Sequence, residues 1–327
     1  YDSKTGIKDD ISGHLARAGM LCKCDLVTNM VVEFPALQGV VGKEYAREKG
    51  ESREVSDAIF EHYLPRFAGD ILPRTDAGTI LSIADKIDTI AGMFLAGRVP
   101  SGSEDPYALR RKASGIVLSA LKKEYDFELT GVVKYIVDLY TKSFGSKKTD
   151  GLNITSKVKD FIIARYRFLL EKEGKRMDIF ESVLGSGCSS ILDIDLRYKV
   201  VDKFIADSDI KMLTFPMIRC KNITANKKTG EVNTGLFKEE YEKKLYSYTS
   251  KYEMSIKKLI SKKEYGLVLD ELAEYGKTVD LFFDNVLVMD EDRKLRDNRI
   301  NLVKRAAELY LLFADFSKIV LEGNSRL

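Results

Sequence analysis

Residues 280–305 read DLFFDNVLVMDEDRKLRDNRINLVKR. Downstream of the acids Asp290, Glu291 and Asp292, the apolar residues Leu295, Leu302, Ala306, Leu309 and Phe313 recur at helical spacing and trace a buried stripe. Arginines at 293, 296 and 299 are three apart, so on the same helix they form a cationic ridge that turns slowly along one side, with Arg299 at the edge of the stripe. Two adjacent phenylalanines, Phe282 and Phe283, stand just upstream. A basic ridge beside aromatic surface suits phosphate and base contacts in RNA. A charge run on its own also reads as a solvated helix face with local ion pairs.

Helical periodicity extends outward from this stretch. It is present at Ile136-Leu139-Tyr140, at Phe161-Ile162-Arg165-Phe168-Leu169 and from Leu259 to Leu272. No segment alternates apolar and polar residues for long enough to predict a strand, so the expected fold is all-α. Five of the six prolines fall between Pro35 and Pro106. Pro35, Pro65, Pro73 and Pro100 follow helix-like segments and are expected to end them. At Asp105-Pro106 the order favours a helix start, with Asp as N-cap and Pro in the first turn, so a helix is expected from Pro106 to about Lys123. Only Pro216 comes later, consistent with long helices in a bundle. Loops are marked by Gly145-Ser-Lys-Lys148, Gly185-Ser-Gly187 and Asn226-Lys-Lys-Thr-Gly230. We place a domain boundary after residue 124, giving residues 1–124 and 125–327.

At 327 residues the chain is long enough for two domains with real cores. No apolar run approaches the length of a membrane span and there is no secretory signal, so the expected location is the cytoplasm, with no membrane partner. A formal net charge of +3 is too small for whole-molecule attraction to nucleic acid. Locally the picture differs. Between Arg219 and Glu264 twelve Lys/Arg face six Asp/Glu, with Tyr241, Tyr246, Tyr248 and Tyr252 interleaved. That excess fits a phosphate backbone or the wet face of a helical hairpin equally well. Cys22, Cys24, Cys188 and Cys220 contain no CxxC pair and are expected to be free thiols rather than a zinc cluster or disulfide framework.

Enzymatic chemistry is hard to find. Asp85 and Asp88 share a helix face and flank Lys86, but neither a nucleophile nor a second acid stands near them in sequence. The loop Gly97-Arg-Val-Pro-Ser-Gly-Ser103 lacks a GKS/GKT ending and a preceding strand, so it is no Walker motif. It leads into a helix N-terminus where Glu104 and Asp105 already supply negative charge. Arg110, Arg111 and Lys112, one turn later, are the better phosphate-binding candidates.

The 280–305 string resembles the C-terminal anticodon-binding region of the β subunit of the heterotetrameric bacterial glycyl-tRNA synthetases. So do HLARAGMLCKCDLVTNMVVEFPALQGVVG from His14 to Gly42, EHYLPRFAGD from Glu61, ADKIDTIAGMF from Ala84 and PSGSEDPYALRR from Pro100. The resemblance runs from about His14 to about Ser317. It implies an HD-like helical domain followed by a helical-bundle, DALR-like anticodon-binding domain from about residue 235. It also implies a C-terminal fragment of a longer subunit, in keeping with a start at Tyr1 rather than Met. The implied partners are tRNA(Gly) and the α subunit of an α2β2 holoenzyme, with no DNA. ATP and Mg2+ would be used by the holoenzyme, with no cofactor in this fragment, which alone would not activate glycine. The expected tRNA-binding residues are Arg110, Arg111, Lys112, Arg219, Lys221, Asn222, Arg293, Arg296 and Arg299. Arg299 could instead pair with an acid such as Asp280 or Asp284 and hold the bundle together.

The N-terminal third also resembles HD-type phosphohydrolases, in which His and Asp side chains hold divalent metal. Asp25 stands where such enzymes carry a His-Asp pair, but Cys24 occupies the histidine position, and His62 and Asp85 would be the later ligands. Metal hydrolysis needs enough ligands to fix an ion and activate a water. His14 is a poor substitute, since eleven residues on one helix separate it from Asp25 by roughly 16 Å. The expectation is a relic scaffold without metal or catalytic residues, and the alternative is a metal-dependent phosphohydrolase.

Overall fold

The computed structural model describes residues 11–102, 104–144, 148–225 and 230–321. Among the described residues all regular structure is helical, with no strand beyond a single bridge between Ser101 and Glu104. Two of the expected loops, at 145–148 and 226–230, fall largely outside the described residues. The chain forms two compact units. The first runs to Lys175 and includes Ser189–Leu192; the second comprises Arg176–Cys188 and the chain from Asp193 onward.

The first unit contains α1 (Ile11–Leu21), α2 (Asn29–Glu33), α3 (Val40–Glu48), α4 (Arg53–Glu61), α5 (Asp76–Leu95), α6 (Leu109–Lys123), α7 (Leu129–Phe144) and α8 (Lys148–Lys172). Side chains start these helices in the expected way. Ser52 accepts from the Val55 amide to cap α4, and Thr75 accepts from the Gly78 amide to cap α5. Helix α5 is the centre, in contact with α1, α4, α6, α7 and α8. Its Ile87, Ile90, Ala91 and Phe94 are buried, as are Ala113, Ile116, Val117 and Ala120 of α6. A satellite core of Ala18, Ala46, Val55, Ala58, Ile59 and Ala77 joins α1, α3, α4 and α5.

Three expectations need correction here. The division after residue 124 is not where the chain separates: α7 packs on α5, and α8 packs on α5, α6 and α7, which binds residues 125–175 into the first unit. The helix expected from Pro106 begins at Leu109, because Asp105 reaches past a turn and accepts from the amides of Leu109 (2.7 Å) and Arg110 (2.9 Å). Ala108 takes a left-handed conformation, φ 53°, to make that turn. The buried face of α7 is Leu129, Val133 and Val137, whereas Leu139, which the sequence pattern assigned inward, is exposed.

The second unit holds α9 (Met177–Leu184), most of α10 (Ile191–Asp207), α11 (Lys211–Thr224), α12 (Glu240–Ser261), α13 (Tyr265–Asn285) and α14 (Arg293–Leu311). Helices α11 to α14 form a bundle in which α12 packs on α13 and α14, and α11 on α13 and α14. Leu245, Leu272, Tyr275, Phe282, Leu302, Ala306 and Tyr310 are among its wholly enclosed side chains. Pro216 lies inside α11 rather than ending it. Lacking an N–H, it leaves the Met212 carbonyl without its helical donor. Gly276 of α13 fits against that point: a Cβ there would lie 2.7 Å from the Met212 oxygen and 3.1 Å from Pro216 Cγ. Only a glycine hydrogen fits so close an approach of α13 to α11. The four cysteines are free, Cys22 and Cys220 buried, Cys24 exposed and Cys188 in between.

Candidate nucleic-acid interface

Asp292 caps α14, accepting from the amides of Lys294 and Leu295. The predicted stripe of Leu295, Leu302, Ala306, Leu309 and Phe313 is buried throughout. The arginine ridge does not stay on the surface. Each three-residue step falls about 60° short of a full turn, so two steps carry the row from solvent into the core. Arg293 has 85% of its side chain exposed and only a long 3.8 Å approach to Asp297. Arg296 is half-buried, its guanidinium 3.5 Å from the Asp290 carbonyl oxygen. Arg299 is enclosed, with 4% of its side chain exposed against 0% for its partner Glu242, at 3.0 Å. It also donates to Asp290 Oδ2 (2.9 Å) and to the Leu287 carbonyl (2.8 Å). Arg299 therefore ties α14 to α12 and to the 286–292 loop, and its guanidinium is not on the surface where the sequence reading expected it. Its anion is Glu242, not Asp280 or Asp284. Glu242 belongs to the α12 cap, where its other oxygen accepts from the amides of Lys238 and Glu239.

Asp280 and Asp284 belong to Arg219, which bonds them at 3.0 and 3.2 Å and lies over the Phe283 ring, 4.7 Å from its centroid. Phe282 is fully buried, so the expected aromatic surface reduces to Phe283. Lys221 bonds Asp315 (2.7 Å) and Ser317 (3.0 Å), and the ammonium, with the Ser317 hydroxyl, holds the buried Asp315 carboxyl below the usual range despite burial that would raise it. Arg219 and Lys221 thus have structural duties, while Asn222 is exposed on α11. On α12, Lys244 and Lys251 stand 5.9 and 5.8 Å from the Tyr248 ring, and Arg305 of α14 covers Tyr246 at 4.7 Å.

The first unit contains a cleft of about 570 Å³ whose lining includes Lys23, His62, Asp85, Lys86, Arg111 and Lys112. His62 is buried; its Nδ1 is 2.6 Å from the Ile59 carbonyl, so this nitrogen carries the proton. Its Nε2 accepts from the Lys23 ammonium at 3.0 Å. Burial, reinforced by Lys23, pushes His62 down to about 4. Lys23 also pairs with Asp85 at 2.9 Å. Burial alone would raise the Asp85 carboxyl, but Lys23 holds it below its ordinary range. Lys86 points inward to the carbonyls of His62 (3.0 Å) and Leu64 (2.7 Å) and to Ser82 (2.6 Å), and its burial pushes it down to about 7.

The four HD-like positions do not come together as a ligand set. Asp25 is buried and accepts from the Gly39 amide at 2.6 Å, and it lines, with Cys24, a different pocket from the one holding His62 and Asp85. Among the described residues no three His, Cys, Asp or Glu side chains gather closely enough to hold a metal ion. His14 lies in α1, which ends at Leu21, so no single helix carries both it and Asp25. Asp85 and Asp88 also divide, Asp85 to Lys23 and Asp88 to the Tyr140 hydroxyl (3.2 Å). Lys23 and Lys86 were not singled out from sequence as functional residues. Lys86 had a signal, standing three residues after Ile83 and four before Ile90 on an apolar helix face. Arg110 donates to the carbonyls of Gly102 and Glu104 and braces the loop before α6, while Arg111 is exposed.

Comparison with known proteins fits this architecture. No helix among the described residues is long and apolar enough to cross a membrane. Residues 216–312 match the model of the DALR anticodon binding domain, starting before the expected residue 235. The glycine–tRNA ligase beta subunit of Clostridioides difficile is 38% identical over 304 residues, 93% of this chain and 44% of that protein. That of Desulforamulus reducens is 38% identical over 97% of this chain and 46% of its own length. That of Haemophilus influenzae is 39% identical over 92% and 43%. The chain thus spans less than half the length of these relatives. Residues 3–185, more than half of the chain, match the model of the glycyl-tRNA synthetase beta subunit, and the chain belongs to that family.

Proposed function

We propose that this chain is the tRNA-gripping portion of a glycine–tRNA ligase β subunit. It binds tRNA(Gly) through the second unit, with the N-terminal end of α14 on the anticodon side. Arg293 takes a phosphate and Arg296, held partly against the protein, takes a base edge. Asn222 is a further contact, and Arg110, Arg111 and Lys112 form a second, phosphate-binding patch in the first unit. Glycine activation with ATP and Mg2+ falls to an α subunit in an α2β2 assembly in the cytoplasm, and the chain alone forms no aminoacyl-tRNA. The observation that carries this reading is the meeting of family membership with an exposed, only weakly paired arginine at the start of α14, inside the region that matches an anticodon-binding domain.

A metal-dependent phosphohydrolase would require ligands that converge, and here an ammonium stands between His62 and Asp85. The test is filter binding of tRNA(Gly) across a salt series, with pyrophosphate exchange measured on the same preparation. Salt-dependent binding without exchange supports the reading; exchange by the chain alone would overturn the division of labour.

A further inference from the structure

The cleft around Lys23 carries more positive charge than the protein neutralises. Its one carboxylate, Asp85, is taken by Lys23. Lys86 is committed to three internal oxygens. Arg66 is tied to Asp70, which lies outside the lining. Arg111 and Lys112 remain, and among the described residues neither side chain has an ion-pair or hydrogen-bond partner. Lys112 is partly buried, and that burial lowers its pKa despite the opposing pull of Asp85. A partly buried cation without a direct ion pair costs stability that an anion from outside would offset. The rim adds a second element: Phe67 and Tyr107 line the cleft with 54% and 42% of their surface exposed. Exposed aromatic rings beside cations are the usual platform for a stacked base.

We propose that this cleft binds a nucleotide phosphate, held by Arg111 and Lys112 with the Lys23 ammonium as a fixed third charge, while an aromatic ring at the rim takes the base. Lys23 fills the space between a neutral imidazole and a carboxylate, which is where a ligand set of this kind would hold a cation. The cleft therefore presents positive charge without a metal. The ligand is either a phosphate within RNA or a free mononucleotide, and the chemistry is shared. This rests on and deepens the phosphate-binding patch proposed for the first unit, and it is independent of the anticodon-side contacts.

The test is calorimetric titration of the whole chain with AMP and, separately, adenosine, with inorganic phosphate as competitor. AMP should bind saturably and at least about tenfold more tightly than adenosine, and phosphate should displace it. Arg111→Gln and Lys112→Gln should each weaken AMP about tenfold or more, with Lys112→Arg retaining most of the binding. Lys199→Gln, at an exposed lysine outside the lining, should change nothing. Melting curves establish that each variant is folded; Arg111 is exposed, so its variant is the safer of the two. Equal binding of AMP and adenosine, or unchanged AMP binding in both folded Gln variants, overturns the proposal. Titration of the same variants with tRNA(Gly) assigns the source. Parallel loss of AMP and tRNA places an RNA phosphate in the cleft, and loss of AMP alone places a free nucleotide there; both support the site. Loss of tRNA with AMP unaffected contradicts it.

Discussion

Arg299→Ala should act on folding rather than on RNA. The arginine is buried against Glu242, which has no exposure at all. Removing one member of such a pair strands the other in a medium that solvates it poorly, at a cost of about 3–5 kcal/mol. The variant also loses the bonds to Asp290 and the Leu287 carbonyl, but the Asp290 side chain is 28% exposed and can turn to water, so Glu242 dominates the loss. For a unit of this size each kcal/mol moves the midpoint by roughly 2–4 °C, so the melting transition should fall by roughly 6–20 °C. Glu242→Gln in the Arg299→Ala background should restore part of that loss, because the stranded charge disappears while the amide oxygen can still accept from the amides of Lys238 and Glu239. Scanning calorimetry on the parent, both single variants and the double variant gives the coupling directly. An Arg299→Ala protein that melts within about 1 °C of the parent yet has lost tRNA affinity would refute this reasoning and return Arg299 to the interface.

Further outcomes follow from the same geometry. Arg293→Ala should leave the melting point unchanged, weaken tRNA similarly for all anticodons and reduce the salt slope by about one, as filter binding against log salt would show. Arg296→Ala should cost roughly 1–3 kcal/mol of binding in an anticodon-dependent way, measured with tRNA anticodon variants. Gly276→Ala forces a Cβ to within 2.7 Å of the Met212 carbonyl and should destabilise the second unit by about 1–3 kcal/mol in urea melts. Glu124, which ends α6 at φ 53°, should be better replaced by glycine, and Glu124→Gly should raise stability by about 1 kcal/mol in the same assay.

The helices and the α14 stripe were legible because burial there follows a simple period. Arg299 was legible as a border residue but its partner was not, since Glu242 is 57 positions away and appears in sequence as one acid in a charged run. Asp280 and Asp284 were nearer in sequence and were therefore the natural guess, yet α11 presents Arg219 to them first. The boundary after residue 124 was drawn at a helix end, which is a local signal, whereas the separation is set by where α7 and α8 pack, which is not. The helix start at 106 was displaced because Asp105 caps from four and five residues away, a geometry that depends on Ala108 turning left-handed. The cleft was invisible for a different reason: it is assembled from Lys23, His62, Asp85 and Arg111, residues that come from four separate strings.

The most direct test of the central claim is filter binding of tRNA(Gly) to this chain and to its Arg293→Ala/Arg296→Ala variant, each shown by melting to be folded. The account predicts saturable, salt-dependent binding by the parent and at least about a tenfold loss in the double variant. Equal binding by the two folded proteins would contradict it.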